Sequence, residues 1–426
     1  MGTWPLDRLK KVLILAGNPL CHNPRALKEA EALSSCGFEV EILGAGIQPE
    51  VRERNAKLCE GKAWRFIPLP ESQIAWGNMA RKSRRKIGNL VQRFFGRENH
   101  WQLGWMADEL LKGGRKRRAD LYLAQSEAGM WAAEQLRHEG KRVGVDMEDW
   151  FSEDLLPEAR RGRPIRLLKK LERNLLCEGV YSSCTSEAMA DALVKEYGCR
   201  RPVVVRNVFP RKDREGLDGK WKDRPGMAKW TERNDPTAER PEEAPVSIHW
   251  FSQTVGPGRG LEILFEALEG MEGSWELHLR GNLKGYESWL EKVCPTSVRQ
   301  RLAVHGLVGN EELLSRIAEH DIGYAGELKD PPSRDLTITN KFFQYLQAGL
   351  AVVASDTAGQ KEAVREADGG ISLFSPERVE ELRERLNELL SDPKDLFSQR
   401  KKAWAAGGRL NWEVESRRLL ANISSA

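Results

Sequence analysis

The sequence is short of the features that would place it in several large classes at once. Its cysteines, Cys21, Cys36, Cys59, Cys177, Cys184, Cys199 and Cys294, are odd in number and contain no C-x-x-C pair. This argues against a zinc ribbon or disulfide scaffold and fits a reducing compartment. No apolar run approaches the roughly 20 residues that a membrane-spanning helix needs. Met1 to Lys11 lacks the long apolar core of a secretion signal. Charge of one sign is missing as well. Against 67 basic residues stand 63 acidic ones, a formal net charge of +4, too small to argue for nucleic acid. The expectation is a cytoplasmic protein, soluble or at most peripheral at the inner face of the plasma membrane.

What is present is alternation. Lys11 to Gly17 (KVLILAG) reads as a buried parallel strand. Arg25 to Cys36 has helical spacing, Gly37 stops it, and Phe38 to Leu43 reads as the next strand. Strands and helices continue to alternate through Val203 to Arg206, with Ser186 as a helix cap. Pro210 to Pro245 breaks the pattern with charge, Pro and Gly and reads as an exposed linker or insertion. The alternation restarts at Ser247 and runs to Leu390. The fold class is therefore α/β, with two Rossmann-like doubly wound halves. The expected boundaries are 1–208, a linker at 209–245, 246–400, and a C-terminal helical segment at 401–426 that could cross back to the first half.

Ligands of doubly wound sheets bind beyond the carboxyl ends of the strands, which selects four loops. Gly17 to Arg25 enters the first helix and lacks the G-x-G-x-x-G dinucleotide fingerprint. Its Asn23 and Arg25 could hold a hydroxyl-rich group or a phosphate, or form a plain turn. Gln253 to Leu261 carries Gly256, Gly258, Arg259 and Gly260; freed N–H groups and one guanidinium suit a diphosphate. Asn340 and Lys341 open a later helix, where a lysine opposes the helix dipole unless an anion is near. Asp146 to Asp154 supplies five acids after a strand end, which could orient hydroxyls, act as a base or cap a helix. Their spacing matches no metal-ligand set.

Taken together these segments resemble the retaining glycosyltransferase family 4, of the GT-B fold, in which two Rossmann-like domains face a cleft. Asn340 to Asp356 (NKFFQYLQAGLAVVASD) is similar to the family's N-K-x-F-E-Y-L segment and the run that follows it. Gly258 to Glu262 resembles its phosphate-binding turn, Asp146 to Glu153 its D-x-H-E segment, and Asn23 to Arg25 its D-x-R loop. The resemblance implies sugar transfer from a UDP- or GDP-sugar, with no bound cofactor or metal, to a glycan or lipid-linked acceptor in envelope polysaccharide synthesis. By the same resemblance, Gly17, Arg259, Gly260, Asn340, Lys341 and Gln344 bind the donor. Asn23 and Arg25 lie on the acceptor side, and Glu148 and Asp149 serve catalysis. The chain departs from the family at Gln125, Glu148 and Gln344, where the family has histidine, histidine and glutamate, and at Leu336, where a second glutamate is usual, although Asp335 is adjacent. These departures motivate one alternative, a non-catalytic scaffold binding a partner or glycan. A sugar-nucleotide epimerase of the same fold is a second.

Arg81 to Arg97 (RKSRRKIGNLVQRFFGR) spaces Ile87, Leu90, Val91, Phe94 and Phe95 helically among basic residues. The pattern suits a helix on an anionic membrane surface, or one packed on its own domain.

Overall fold

The computed structural model describes residues 10–46, 49–69, 75–104, 106–155, 160, 162–217 and 245–424, without the side chains of 49–50, 75–83 and 85. Most of the stretch read as a linker, 218–244, lies outside the described residues. The chain divides into two compact units: Met1–Val205 together with Ser416–Ala426, and Arg206–Glu415.

The first unit holds strands β1 (Lys11–Gly17), β2 (Glu39–Gly44), β3 (Arg65–Pro68), β4 (Leu121–Ala124), β5 (Val143–Met147), β6 (Tyr181–Cys184) and β7 (Val203–Val204). They form one sheet in the order β3-β2-β1-β4-β5-β6-β7, every neighbouring pair parallel. Its helices are α1 (Pro24–Ser35), α2 (Pro49–Cys59), α3 (Ala75–Phe95), α4 (Met106–Lys116), α5 (Glu127–His138), α6 (Ile165–Glu178) and α7 (Glu187–Tyr197). Val12 to Leu15 are fully buried because a parallel sheet is covered on both faces. Ser186 caps α7 by accepting the Met189 N–H at 3.0 Å.

The second unit repeats the plan. Strands β8 (Val246–Thr254), β9 (Trp275–Asn282), β10 (Leu302–His305), β11 (Ile322–Ala325), β12 (Ala351–Ser355) and β13 (Ile371–Phe374) form a sheet in the order β10-β9-β8-β11-β12-β13, again all parallel. Helices α8 (Leu261–Leu268), α9 (Glu287–Val293), α10 (Thr296–Arg299), α11 (Asn310–Ile317), α12 (Pro332–Leu336), α13 (Asn340–Ala348), α14 (Ala358–Ala367), α15 (Val379–Ser391) and α16 (Pro393–Arg409) surround it, and α17 (Trp412–Ile423) closes the chain. The start of the expected linker is ordered within this unit. Arg211–Arg214 form a 3-10 turn, Leu217 is buried, and the Arg214 guanidinium lies 3.4 Å from the Trp404 ring centroid.

Four of the seven histidines line up across the second sheet. His249 on β8 and His278 on β9 are register partners. His320, just before β11, stacks on His249 at 4.4 Å and contacts His278 at 4.6 Å. His278 Nδ1 meets His305 Nε2 at 2.9 Å. The four ring nitrogens of His249 and His320 are buried without hydrogen-bond partners among the described residues.

In each sheet the strand order reverses once, between β1 and β4 and between β8 and β11. Loops leaving the two strands on either side of such a reversal diverge and open a crevice. The topology therefore pairs the loop after β1 with the loop after β4, and the loop after β8 with the loop after β11.

Among the described residues no helix is long and apolar enough to cross a membrane. Nor is any group of three or more His, Cys, Asp or Glu placed to hold a metal ion. All seven cysteines are free.

Candidate functional site

In the second unit the loop after β8 carries the glycine turn. Gly258 and Gly260 have φ of 71° and 75°, the left-handed region that favours glycine. A Cβ on Gly260 would also sit 2.6 Å from the carbonyl oxygen of Gly326, so the two crevice loops touch at backbone distance. Tyr324 Oη donates to the Gly260 carbonyl at 2.8 Å, and Arg334 Nη1 donates to the Gly258 carbonyl at 2.5 Å. Among the described residues, Arg259, between them, is held only at Ser252 Oγ, 3.1 Å, on an exposed contact. Its guanidinium therefore faces outward from a turn fixed on both sides. The Gly258 N–H, however, donates to Glu262 Oε1 at 3.1 Å, so this amide is engaged within the protein.

The residue after Gly326 is Glu327, and its N–H donates to Ser355 Oγ at 2.8 Å. Its carboxylate receives Lys341 Nζ at 2.5 Å, both side chains largely buried. Lys341 also reaches Thr339 Oγ1 at 3.3 Å and lies 5.9 Å from the Trp250 ring centroid. The mismatch between Lys341 and the N-terminus of α13, read from the sequence as a sign of phosphate, is here relieved by Glu327. Asn340 begins α13 behind Thr339, and Gln344 is buried one turn later. Asp335 does not stand in for the absent family glutamate: its carboxylate accepts the Ala358 N–H at 3.0 Å and so caps the start of α14.

Glu327, Arg334 and Tyr324 were missed by sequence reasoning. The usable signal was positional. Glu327 stands two residues past the carboxyl end of a strand whose limits the periodicity marks correctly, and across the strand-order reversal from the glycine loop.

In the first unit the structure changes the reading of the Gly17–Arg25 loop. Asn23 Oδ1 accepts the Ala26 N–H at 2.9 Å and caps α1, whose first residue is Pro24. Arg25 is 1% exposed. Its Nε and Nη2 donate to Asp146 Oδ2 and Oδ1 at 2.5 and 2.7 Å, and Nη1 donates to the Val205 carbonyl at 2.9 Å. Burial alone would weaken its charge, but Asp146 and Glu29 raise its proton affinity above the ordinary arginine value. Both residues, expected on the acceptor side, thus make scaffold contacts: one caps the start of α1 and the other ties α1 to β5. Gly17 has φ of 74°, and a Cβ there would meet Ser126 Oγ at 2.7 Å. It lets the first loop close against the N-cap of α5.

A buried polar cluster lies beneath this crevice. Ser183 Oγ donates to Asp146 Oδ1 at 2.7 Å, and Gln125 Nε2 donates to Glu29 Oε2 at 2.5 Å. Burial, and then the nearby Asp146 charge, push the Glu29 carboxyl up to about 8. Gln125, standing where the family has histidine, is part of this internal network.

Glu148 and Asp149 follow β5, both half-buried. Burial raises the Asp149 carboxyl well above the usual aspartate value, and the charges of Asp154 and Glu148 add to the shift. The segment carrying them is pinned from below by Glu172, which is fully buried. Ser152 N, Ser152 Oγ and Tyr197 Oη donate to its carboxylate at 2.8, 2.7 and 2.6 Å, and Trp150 Nε1 at 3.3 Å.

The candidate residues thus fall into two sets, one per unit: Gly17, Glu148 and Asp149 on loops leaving the first sheet, with Gln125 buried beneath them, and Arg259, Gly260, Glu327, Lys341 and Gln344 on the loops and helix of the second. Residues 247–392, the body of the second unit, match the family model described as "Glycosyl transferases group 1". That match covers about a third of the chain and lies wholly within the second unit. The fold of the chain is GT-B. Sucrose-phosphate synthase from Thermosynechococcus elongatus is similar to it, with a TM-score of 0.68 at 13% identity over 97% of this chain and 98% of that one. Anabaena HepE in complex with UDP-glucose gives 0.67 at 15% identity over 98% and 100%. WaaG, a glycosyltransferase involved in lipopolysaccharide biosynthesis, gives 0.61 at 13% identity over 97% and 98%. No curated protein matches this sequence.

Proposed function

We propose that this protein is a glycosyltransferase that moves a hexosyl group from a nucleoside-diphosphate donor, UDP- or GDP-linked, to a glycan or lipid-linked acceptor with retention of configuration, in envelope polysaccharide synthesis. The observation that carries the reading is the second crevice: a left-handed glycine turn bearing Arg259, abutting the loop whose Glu327 holds Lys341. That HepE is seen with UDP-glucose, on the same fold, supports a nucleotide-sugar donor.

In this reading Arg259 and Lys341 face the diphosphate. Transfer breaks the bond between the anomeric carbon and the diphosphate oxygen and forms one to an acceptor hydroxyl oxygen. The electron pair goes to the diphosphate, where the two cations stabilise the charge that develops. The hydroxyl proton leaves with the departing phosphate oxygen. A diphosphate arriving at Lys341 competes with Glu327 for the ammonium, and the released carboxylate becomes available to a sugar hydroxyl. Gln344 offers an uncharged acceptor to a ribose hydroxyl. Glu148 and Asp149 orient the acceptor; a carboxyl with raised proton affinity can donate a hydrogen bond as well as accept one.

The test is thermal stabilisation by UDP-, GDP-, ADP- and CMP-linked sugars, since a ligand that binds only the folded state raises its melting temperature. One nucleotide series is expected to stabilise the wild type and not Arg259→Ala. Arg259→Ala and Lys341→Ala are each expected to lower turnover at least tenfold, about 1.4 kcal/mol. Near-normal turnover in both variants would refute the donor site. Binding without transfer to any acceptor would favour the scaffold reading.

A further inference from the structure

Over its last three turns, residues 86–95, helix α3 is mounted the wrong way round for a helix that serves its own core: its polar side packs inward. Gly88 lies against the 3-10 turn His100–Leu103, where a Cβ would be 3.0 Å from Gln102 Cγ and 3.1 Å from Asn99 Oδ1. Gln102 Nε2 donates to Gln92 Oε1 at 2.6 Å and to Asn89 Oδ1 at 3.2 Å, and Gln92 Nε2 reaches the Arg163 carbonyl at 3.5 Å. At about 100° per residue, Ile87, Leu90, Val91 and Phe94 share an arc about 100° wide on the other side, with Phe95 at its edge. Ile87, Leu90, Phe94 and Phe95 are 46%, 50%, 71% and 75% exposed, half of the exposed large hydrophobic side chains among the described residues. A globular helix buries such an arc and turns its polar face to water; a contiguous apolar patch left outside marks an interaction surface.

The charges beside the arc say what covers it. Lys86 and Arg93 flank it on the side away from the polar seam, Arg97 follows the helix, and all three are exposed. Arg166, bonded to the Gly96 carbonyl and 3.6 Å from the Glu98 carboxylate, adds a fourth exposed guanidinium or ammonium group. The stretch 84–97 contains no acidic residue. We propose that the 84–97 face of α3 docks on an anionic lipid surface, its aromatic end entering the interfacial region while Lys86, Arg93, Arg97 and Arg166 engage headgroups. The seam on Asn99 and Gln102 holds the helix formed before it meets lipid, so docking requires no coil-to-helix transition. The inference goes beyond sugar transfer and stands without it, because lipid binding is read with neither donor nor acceptor present.

The full chain is mixed with sedimentable vesicles of phosphatidylcholine, with and without phosphatidylglycerol, and pelleted. The wild type is expected to pellet with the anionic vesicles and not with the neutral ones, less so as salt rises. Circular dichroism is expected to show no gain of helix on binding. Phe94→Ser/Phe95→Ser should weaken binding at least tenfold while melting like the wild type, because both rings are outside the fold. Lys86→Glu/Arg93→Glu should weaken it more than tenfold, each basic residue near such a surface contributing about fivefold. Equal pelleting on both vesicle types, unchanged binding by either variant, or no binding by the wild type would overturn the proposal. Concentration-dependent self-association that Phe94→Ser/Phe95→Ser abolishes would overturn it in favour of a second copy as the occupant.

Discussion

Arg25 and Asp146 are 121 positions apart and make a two-pronged ion pair with almost no access to water. Removing one partner of such a pair leaves a charge stranded in a medium that solvates it poorly. Asp146→Ala is therefore expected to cost about 3–5 kcal/mol, measured by chemical denaturation followed in the first unit. A loss near the 0.5 kcal/mol or so typical of surface substitutions would show the pair to be dispensable. The pair also explains where residue-level reading of the sequence ended. Strand ends and glycine turns leave local signatures, which is why the Gly256–Gly260 loop and Lys341 were legible. Whether Arg25 points at a ligand or inward depends on a carboxylate brought by a distant strand, and nothing within its own loop carries that information. Glu327 was invisible for a related reason: its partner Lys341 is 14 residues downstream, and the two meet only because α13 starts beside the loop after β11.

At the scale of elements, long buried strands and capped helices follow from periodicity, whereas β3, with a half-buried pattern, and β13 at a sheet edge lack the continuous apolar run that marks an inner strand. The histidine file across β10, β9 and β8 is likewise a product of register, invisible until the strands are paired. It has a consequence for acid stability. Burial, with the charge of Arg280 and neighbouring rings, holds His249 and His320 well below the ordinary histidine value, and burial, then His278, lowers His305 to about 4. The other charged groups around the file are Glu276 on His278, and Glu312, Arg316 and Glu319 near Arg280. Because proton affinity is depressed in the folded state, the unfolded chain takes up more protons below about pH 6.5. Stability is thus complete above that pH and lost as pH falls toward the folded-state values. The expected loss is about 1.4 kcal/mol per pH unit for each ring that stays neutral, read from urea midpoints of the second unit. His249→Phe should flatten that slope by one proton; an unchanged slope would mean that His249 titrates normally.

For the molecule as a whole, the doubling of the α/β plan was legible because two alternating patterns flank a stretch without periodicity. The end of the chain reads from the sequence as a helical segment, 401–426, that could cross back to the first half. Residues from Ser416 cluster with the first unit, and Leu419 and Ile423 are fully buried. Truncation after Glu415 is expected to destabilise the first unit by about 2–5 kcal/mol for each of these two apolar side chains lost. Peptide-resolved hydrogen exchange should then speed up in β1, β4 and β5 and stay unchanged in β8 to β12. Acceleration in the second sheet instead would place the tail there. The same path through the chain has a genetic meaning. The second unit is one uninterrupted segment, Arg206–Glu415, set between two pieces of the first. A single cassette of coding sequence therefore carries both crevice loops of the second unit, and one exchange between related genes replaces that whole crevice while every residue of the first sheet is inherited untouched.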